Sequence, residues 1–324
     1  LYHWDLPQHL DDTGGWLNRD TAYRFADYAD QVSRALGDGV AFWATLNEPY
    51  CSAHFGYGTG IHAPGHRNPA WARQSAHHLL LAHGLTMPAL RTNCPKAESG
   101  IVLNFSPCYP ETESREDREA AERADQSLNQ WYLLPMIAGK YPELLQELSK
   151  GQRPEVRDGD METISQPLDY LGVNYYFRNV CRAGADGSWE KVVQDHAPKT
   201  DFGWEIYPAG LSDLLIDYNR RYDLPPVYIT ENGAAMRDTL TAGRVHDPER
   251  TRYLEQHLVQ IDQAIQSGVD IRGYFAWSLM DNFEWAEGYT KRFGLVYVDF
   301  DTQERIIKDS GLAYRDMLKT RRTD

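Results

Sequence analysis

Tyr170-Leu171-Gly172-Val173-Asn174-Tyr175-Tyr176 is seven residues long, too short for a stable helix, and apolar at odd and even positions alike. A strand with one wet face alternates. One that is apolar on both faces is the mark of a parallel strand covered on two sides. Working outward, the same pattern recurs at Ala41-Phe42-Trp43-Ala44-Thr45-Leu46, Gly100-Ile101-Val102-Leu103-Asn104-Phe105, Val227-Tyr228-Ile229-Thr230 and Ile271-Arg272-Gly273-Tyr274-Phe275-Ala276-Trp277, with a partial strand ending at Trp4. Helical patterns lie between them. From Asp247 to Ser267, Leu254, Leu258, Ile261 and Ile265 fall at i, i+4, i+7 and i+11, with Asp247 as N-cap, Pro248 at the first helical position and Gly268 as the stop.

Strand and helix alternate without a linker, repeat or charge block. This predicts an α/β fold with a parallel sheet, of (β/α)8 TIM-barrel type, over residues 1–324 as one domain. Five strands and a fragment leave such a barrel incomplete at its N-terminal end, with the first two strands and most of the third absent. A doubly wound open sheet is the alternative, but no glycine-rich phosphate loop follows any strand, and Gly56-Tyr57-Gly58-Thr59-Gly60 reads as a loop. The opening Leu1-Tyr2-His3-Trp4-Asp5 has no basic or apolar region of the kind a signal peptide carries.

Of the 324 residues, 42% are hydrophobic and 25% charged, which excludes a disordered chain. A net charge of −14 argues against nucleic acid and anionic membrane surfaces as partners. No apolar run is long enough to span a bilayer. Cys51, Cys94, Cys108 and Cys181 form neither a CxxC pair nor a zinc spacing. They read as reduced, buried thiols of a cytoplasmic protein.

Several strands end in polar or aromatic residues: His3-Trp4, Asn47-Glu48, Asn174 with Tyr176, Glu231-Asn232, and Trp277 followed by Glu284-Trp285. In a barrel these ends converge on one mouth, where the active site lies. Two carboxylates there, one ionised and one protonated, are the equipment for glycoside hydrolysis. The blander reading, that each acid caps the helix after its strand, does not account for an Asn beside each and the aromatics at matching ends. Glu48 and Glu231 are expected on neighbouring strands.

Thr45-Leu46-Asn47-Glu48-Pro49, Tyr228-Ile229-Thr230-Glu231-Asn232-Gly233 and Trp277-Ser278-Leu279-Met280-Asp281-Asn282-Phe283-Glu284-Trp285 resemble, in order, the acid/base, nucleophile and sugar-binding motifs of the glycoside hydrolase family 1 β-glucosidases. The resemblance implies a retaining β-glucosidase with no metal or cofactor, acting on a small-molecule β-glucoside or oligosaccharide, with galactosides or fucosides as further substrates. By resemblance Glu231 is the nucleophile, steadied by the Tyr176 hydroxyl, and Glu48 is the acid and then the base. Asn47 holds the 2-hydroxyl, and Asn174 belongs to the same polar cluster. His3, Trp4, Trp277, Glu284 and Trp285 surround the non-reducing sugar, Trp204 lies toward the aglycone, and Phe293 is a further substrate-binding candidate that would otherwise be a core aromatic. The family's first two strands, which bring a Gln and an Arg to the site, have no counterpart in this sequence.

Two rival readings follow from the same residues. Relatives that cleave 6-phosphoglycosides carry Ser at the place of Glu284, and Lys291 lies close by in sequence. A carboxylate facing a 6-phosphate at about 4 Å costs on the order of 1–4 kcal/mol, which favours the unphosphorylated sugar. The other rival, an inactive sugar-binding fragment, is opposed by the presence of both Glu residues. His77, His78 and His83 lie on a helix with Leu79-Leu80-Leu81 and without an HExxH motif, so they read as core rather than metal ligands. Asn104-Phe105-Ser106 reads as a chance glycosylation sequon at a strand end.

Overall fold

The computed structural model describes residues 1–185 and 187–321. The predicted strands form β1 (Phe42–Asn47), β2 (Glu98–Phe105), β3 (Tyr170–Tyr175), β4 (Val227–Asn232) and β5 (Ile271–Ala276). They make one parallel sheet whose spatial order is the chain order. The expected N-terminal fragment of strand is shorter than predicted. A single parallel bridge joins Tyr2 to Leu46 on the outer edge of β1, and the chain turns at Trp4 toward the mouth. The main helices are α1 (Asp20–Leu36), α2 (Pro69–Asn93), α3 (Arg115–Asp125), α4 (Ala209–Tyr222), α5 (Pro248–Gln266) and α6 (Asp309–Arg321). The sheet and its helices are an arc of a (β/α)8 barrel.

Leu46, Ile101, Leu103, Leu171, Val173, Val227 and Ile229 pack with Leu79–Ala82 of α2, Leu211 and Leu215 of α4, and Leu258 and Ile261 of α5. The two-sided burial read from the apolar runs holds for β2, β3 and much of β4. It fails at the sheet's margins, where Phe42 and Phe275 are 48% and 57% exposed. Those two strands are the first and last of the five, and Phe42 is covered only in part, by the Tyr170 and Tyr228 rings.

Asn68 caps α2 by accepting from the backbone N–H groups of Ala70 and Trp71, with Pro69 in the first turn. Asp247 stands where an N-cap should before α5 but caps nothing. Its carboxylate instead accepts from Arg250 and from the backbone N–H and hydroxyl of Ser310. Leu254, Leu258 and Ile261 face the core as their spacing predicts, whereas Ile265 is exposed and Ala264 packs in its place. The stretch read as a loop around Gly56–Gly60 is helical, a π-type segment over Cys51–Thr59. Gly56 lets it fold back, since a Cβ there would meet the Ala63 carbonyl oxygen at 2.8 Å.

Three pairings shift register near their carboxyl ends, between Ala44 and Asn47, between Val173 and Asn174, and between Tyr274 and Ala276. Such irregularities re-aim side chains, and here they fall where the polar cluster begins. No helix among the described residues is long and apolar enough to cross a membrane. Cys51, Cys94 and Cys181 are free and buried as expected, but Cys108 is only half-buried, because it opens the short strand Cys108–Pro110 away from the sheet.

The α2 histidines are engaged with the protein. His77 contacts Asp160 and Tyr141, His78 contacts Gln74 and the Trp16 carbonyl, and His83 contacts the Thr45 hydroxyl. Burial holds His78, His83 and, on α5, His257 neutral, pulling their pKa values down to about 4, about 3 and about 4. With folded values below the unfolded 6.5, the unfolded chain takes up protons first. Their contribution is therefore complete above pH 6.5 and is lost as pH falls toward 4, with a limiting slope of about 4 kcal/mol per unit for three protons. The urea midpoint is expected to fall steadily between pH 6.5 and 4.5. A flat midpoint over that window would contradict the buried neutral histidines.

Candidate active site

A cavity of about 450 Å³ opens at the carboxyl end of the sheet, with His3, Trp4, Glu48, Asn174, Tyr176, Glu231, Trp277 and Glu284 in its wall. Glu48 follows β1, where its backbone amide still donates to the Val102 carbonyl at 2.9 Å. Its φ of +47° is in the left-handed region. Trp4 and Trp285 share that conformation, at +73° and +43°. Non-glycine residues rarely adopt it, and in folded proteins such strain gathers at functional sites.

Asn174 links the two carboxylates. Its Nδ2 donates to Glu48 Oε1 at 2.7 Å and to Asn47 Oδ1 at 3.1 Å, and its Oδ1 accepts from the Thr230 hydroxyl at 2.6 Å. The Tyr176 hydroxyl donates to Glu231 Oε2 at 2.6 Å. The expectation of neighbouring strands was wrong. Glu48 stands at the end of β1 and Glu231 on β4, with β2 and β3 between them. They share the mouth because the sheet curves, and Asn174, register partner of Glu231, spans toward β1.

Both carboxyls are buried, and both are held above the ordinary carboxylate range. For Glu48 the cause is desolvation, opposed by donation from Asn174 and Cys51. For Glu231 it is desolvation and then repulsion from Glu48, opposed by Tyr176 and Asn174. Glu284 is raised as well, again by burial first. Among the described residues the cavity wall carries one ammonium, that of Lys191, and no guanidinium. Glu48, Glu231 and Glu284, facing so little positive charge, favour sharing a proton.

Behind Glu231, Asn232 is fully committed: its Nδ2 donates to the Tyr175 carbonyl at 2.8 Å and to the Tyr253 hydroxyl at 3.0 Å, and its Oδ1 accepts from Tyr274. Gly233 is required there, because a Cβ would lie 1.7 Å from the Trp277 carbonyl oxygen. The loop bearing Glu284 is fastened from below. Asp281 accepts from the Gly294 amide and from Lys308, each within 2.9 Å, and pairs with Arg292. Lys308 and Arg250 also pair with Asp238, and Arg250 with Asp247. Three cations and three anions close a buried network joining the loops after β4 and β5 to the start of α6.

Glu284 Oε1 accepts from Asn282 at 2.9 Å, with the Trp277 indole N–H at 3.4 Å. His3 and Trp4 stack on Trp285 at 5.9 and 4.8 Å, and Trp4 also stacks on His62. On the opposite wall Trp204 stacks on Phe202 at 4.5 Å and, with Phe293, flanks Tyr176. Asn47 alone among the anticipated residues is not part of the lining. It lies behind, bonded to His3 and Asn174. Lys291 is outside the lining as well, its ammonium on the Asp201 carbonyl and carboxylate.

Sequence reasoning missed Cys51, Phe55, His62, Asn104, Phe177, Trp189, Lys191 and Phe202 in the wall. A signal existed for Cys51, three residues beyond Glu48 at helical spacing, and for Phe202, two before Trp204. His62 and Lys191 come from excursions that no strand pattern anticipates.

Comparison with known proteins places these features in context. A family model described as Glycosyl hydrolase family 1 matches residues 1–323. Beta-glucosidase A of Acetivibrio thermocellus is 44% identical over 326 residues, which is 98% of this chain and 73% of the relative. A bifunctional beta-D-glucosidase/beta-D-fucosidase of Bifidobacterium breve is 44% identical over 344 residues, 97% of this chain and 73% of that one. Among solved structures, the family 1 β-glucosidase of Thermotoga maritima in complex with isofagomine lactam has a TM-score of 0.95 at 44% identity, covering 98% of this chain and 72% of that chain.

Proposed function

The chain belongs to glycosyl hydrolase family 1, and from that premise we propose that it is a β-glucosidase that removes terminal non-reducing β-D-glucosyl residues with retention, by double displacement. The observation that carries this reading is the pair of buried carboxyls at one mouth, one steadied by the Tyr176 hydroxyl and both reached by Asn174. We take residues 1–324 as one catalytic domain. The free thiols support a reducing compartment, and hence the cytoplasm.

In the first step anionic Glu231 attacks the anomeric carbon while Glu48 gives its proton to the departing oxygen. Burial is what first keeps that proton on Glu48 in the free site, and the repulsion between the two carboxyls adds to it. Once Glu231 is esterified by the sugar the repulsion is gone, and Glu48 ionises and can take a proton from water, which attacks the same carbon and releases β-glucose. The two carboxyls supply nucleophile, acid and base, so these steps call for no cofactor. His3, Trp4, Asn174, Trp277, Glu284 and Trp285 would receive the glucosyl ring, with Asn47 positioning His3 and Asn174 behind them. Trp204 and Phe293 would face the aglycone. A dianionic 6-phosphate would meet the Glu284 carboxylate, and Lys291, held by Asp201, is not free to offset it.

The test is to offer the chain 4-nitrophenyl β-D-glucoside and its 6-phosphate, and to follow the first-released sugar by proton NMR. β-Glucose should appear first, with kcat/KM at least about tenfold higher for the unphosphorylated compound. α-Glucose as first product would exclude double displacement, and preference for the phosphate would overturn the substrate assignment. Binding without turnover would leave a sugar-binding protein.

A further inference from the structure

Cys51 opens the helical segment that follows Glu48, and its Sγ stands 3.1 Å from Glu48 Oε2. The other carboxyl oxygen, Oε1, is spoken for. It accepts from Asn174, whose amide is oriented by the Thr230 hydroxyl and so presents N–H toward Glu48. The amide is the stronger of the two donors, at 2.7 Å against 3.1 Å, so the acidic proton is better placed on Oε2, the oxygen facing the thiol.

Resting on the acid/base reading of Glu48, we infer that Cys51 is a positioning residue for that acid: its S–H donates to Oε2, holds the carboxyl in one orientation and stabilises the carboxylate form that the second step needs. The surroundings make such a donor consequential. Glu48 faces Glu231 from β4 and Glu284 from the loop after β5. Asn174 approaches from β3, and beyond Glu231 lies the Tyr176 hydroxyl, which is bonded to that residue. His3, at the N-terminal side, is bonded to Asn47 and held neutral by burial, and Lys191 is the wall's ammonium among the described residues. Burial pushes Glu48 toward its neutral form, while Asn174 and Cys51 are the donors that oppose it. A thiol suits the place. Buried at 5% exposure beside carboxylates, it stays protonated across the working range and therefore remains a donor.

Two measurements test this. Cys51→Ala should move the alkaline limb of the kcat/KM profile upward by about half to one pH unit, because the carboxylate loses a donor, and Cys51→Ser should return the limb to its place or below it. Independently of turnover, infrared spectroscopy of the whole chain should show an S–H stretch that is absent from Cys51→Ala and Cys51→Ser. That band should move as pH crosses the titration of Glu48 and be pH-invariant in Glu48→Gln. A Cys51→Ala profile superimposable on the parent's, or a Cys51 band that ignores pH, would overturn the role of the thiol. Failure of the acid/base reading has a different signature, an alkaline limb that survives in Glu48→Gln.

Discussion

Glu231→Ala is expected to abolish turnover of aryl β-glucosides, lowering kcat by on the order of 10⁵- to 10⁶-fold, the scale seen when an enzyme's covalent nucleophile is removed. Glu231 is buried at the carboxyl end of β4, fastened by Tyr176 and backed by the fully bonded Asn232. Truncation therefore leaves a small hole on the face from which the anomeric carbon is attacked. A small anion such as azide can enter it. One displacement inverts, so azide should restore activity and give the α-glucosyl azide. The chemistry is read by proton NMR of the product. A β-azide, or residual activity within tenfold of the parent, would remove Glu231 from the nucleophile role.

Glu48→Ala should divide substrates by their leaving groups. Alkyl glucosides and oligosaccharides need a proton on the departing oxygen, and their kcat/KM should fall by about 10³- to 10⁴-fold. Dinitrophenyl glucosides, whose leaving group departs as an anion unaided, should lose little in kcat/KM, and their slowed second step should let the glycosyl-enzyme accumulate. Azide should then attack that intermediate on the face Glu48 vacated and yield the β-glucosyl azide. This is the stereochemical opposite of the outcome at Glu231. Equal losses across both substrate types would take Glu48 out of the acid role.

Much of the frame for these experiments was legible in the residues. The five sheet strands were visible because each is a short, mainly apolar run, and in β1, β3 and β4 polarity returns abruptly at the carboxyl end, at Asn47, Asn174 and Glu231. Curvature was not legible. A linear pattern carries no information on which strand ends face one another, so Glu48 and Glu231 were wrongly placed on adjacent strands. The helix over Cys51–Thr59 was hidden because Gly56 and Gly58 carry strong turn signals, yet here they serve close packing, Gly58 against Ala72 and Gly56 against Ala63. Asp247 has the composition of a cap but answers to Arg250 and Ser310, partners that tertiary structure alone brings near. Lys191 and His62 were invisible for the same reason.

The left-handed backbone at Trp4, Glu48 and Trp285 sets evolution of the fold against evolution of the site. Each such residue burdens the native state by on the order of 1–3 kcal/mol, a burden that glycine would relieve. The acid and the aromatic wall need side chains at these positions all the same. A laboratory selection that rewards heat tolerance alone is drawn to these three positions, and its gains there are taken from the acid and from the aromatic wall. Stabilising this protein while keeping it active therefore means searching away from the mouth, among exposed residues such as Phe42 and Phe275 at the margins of the sheet.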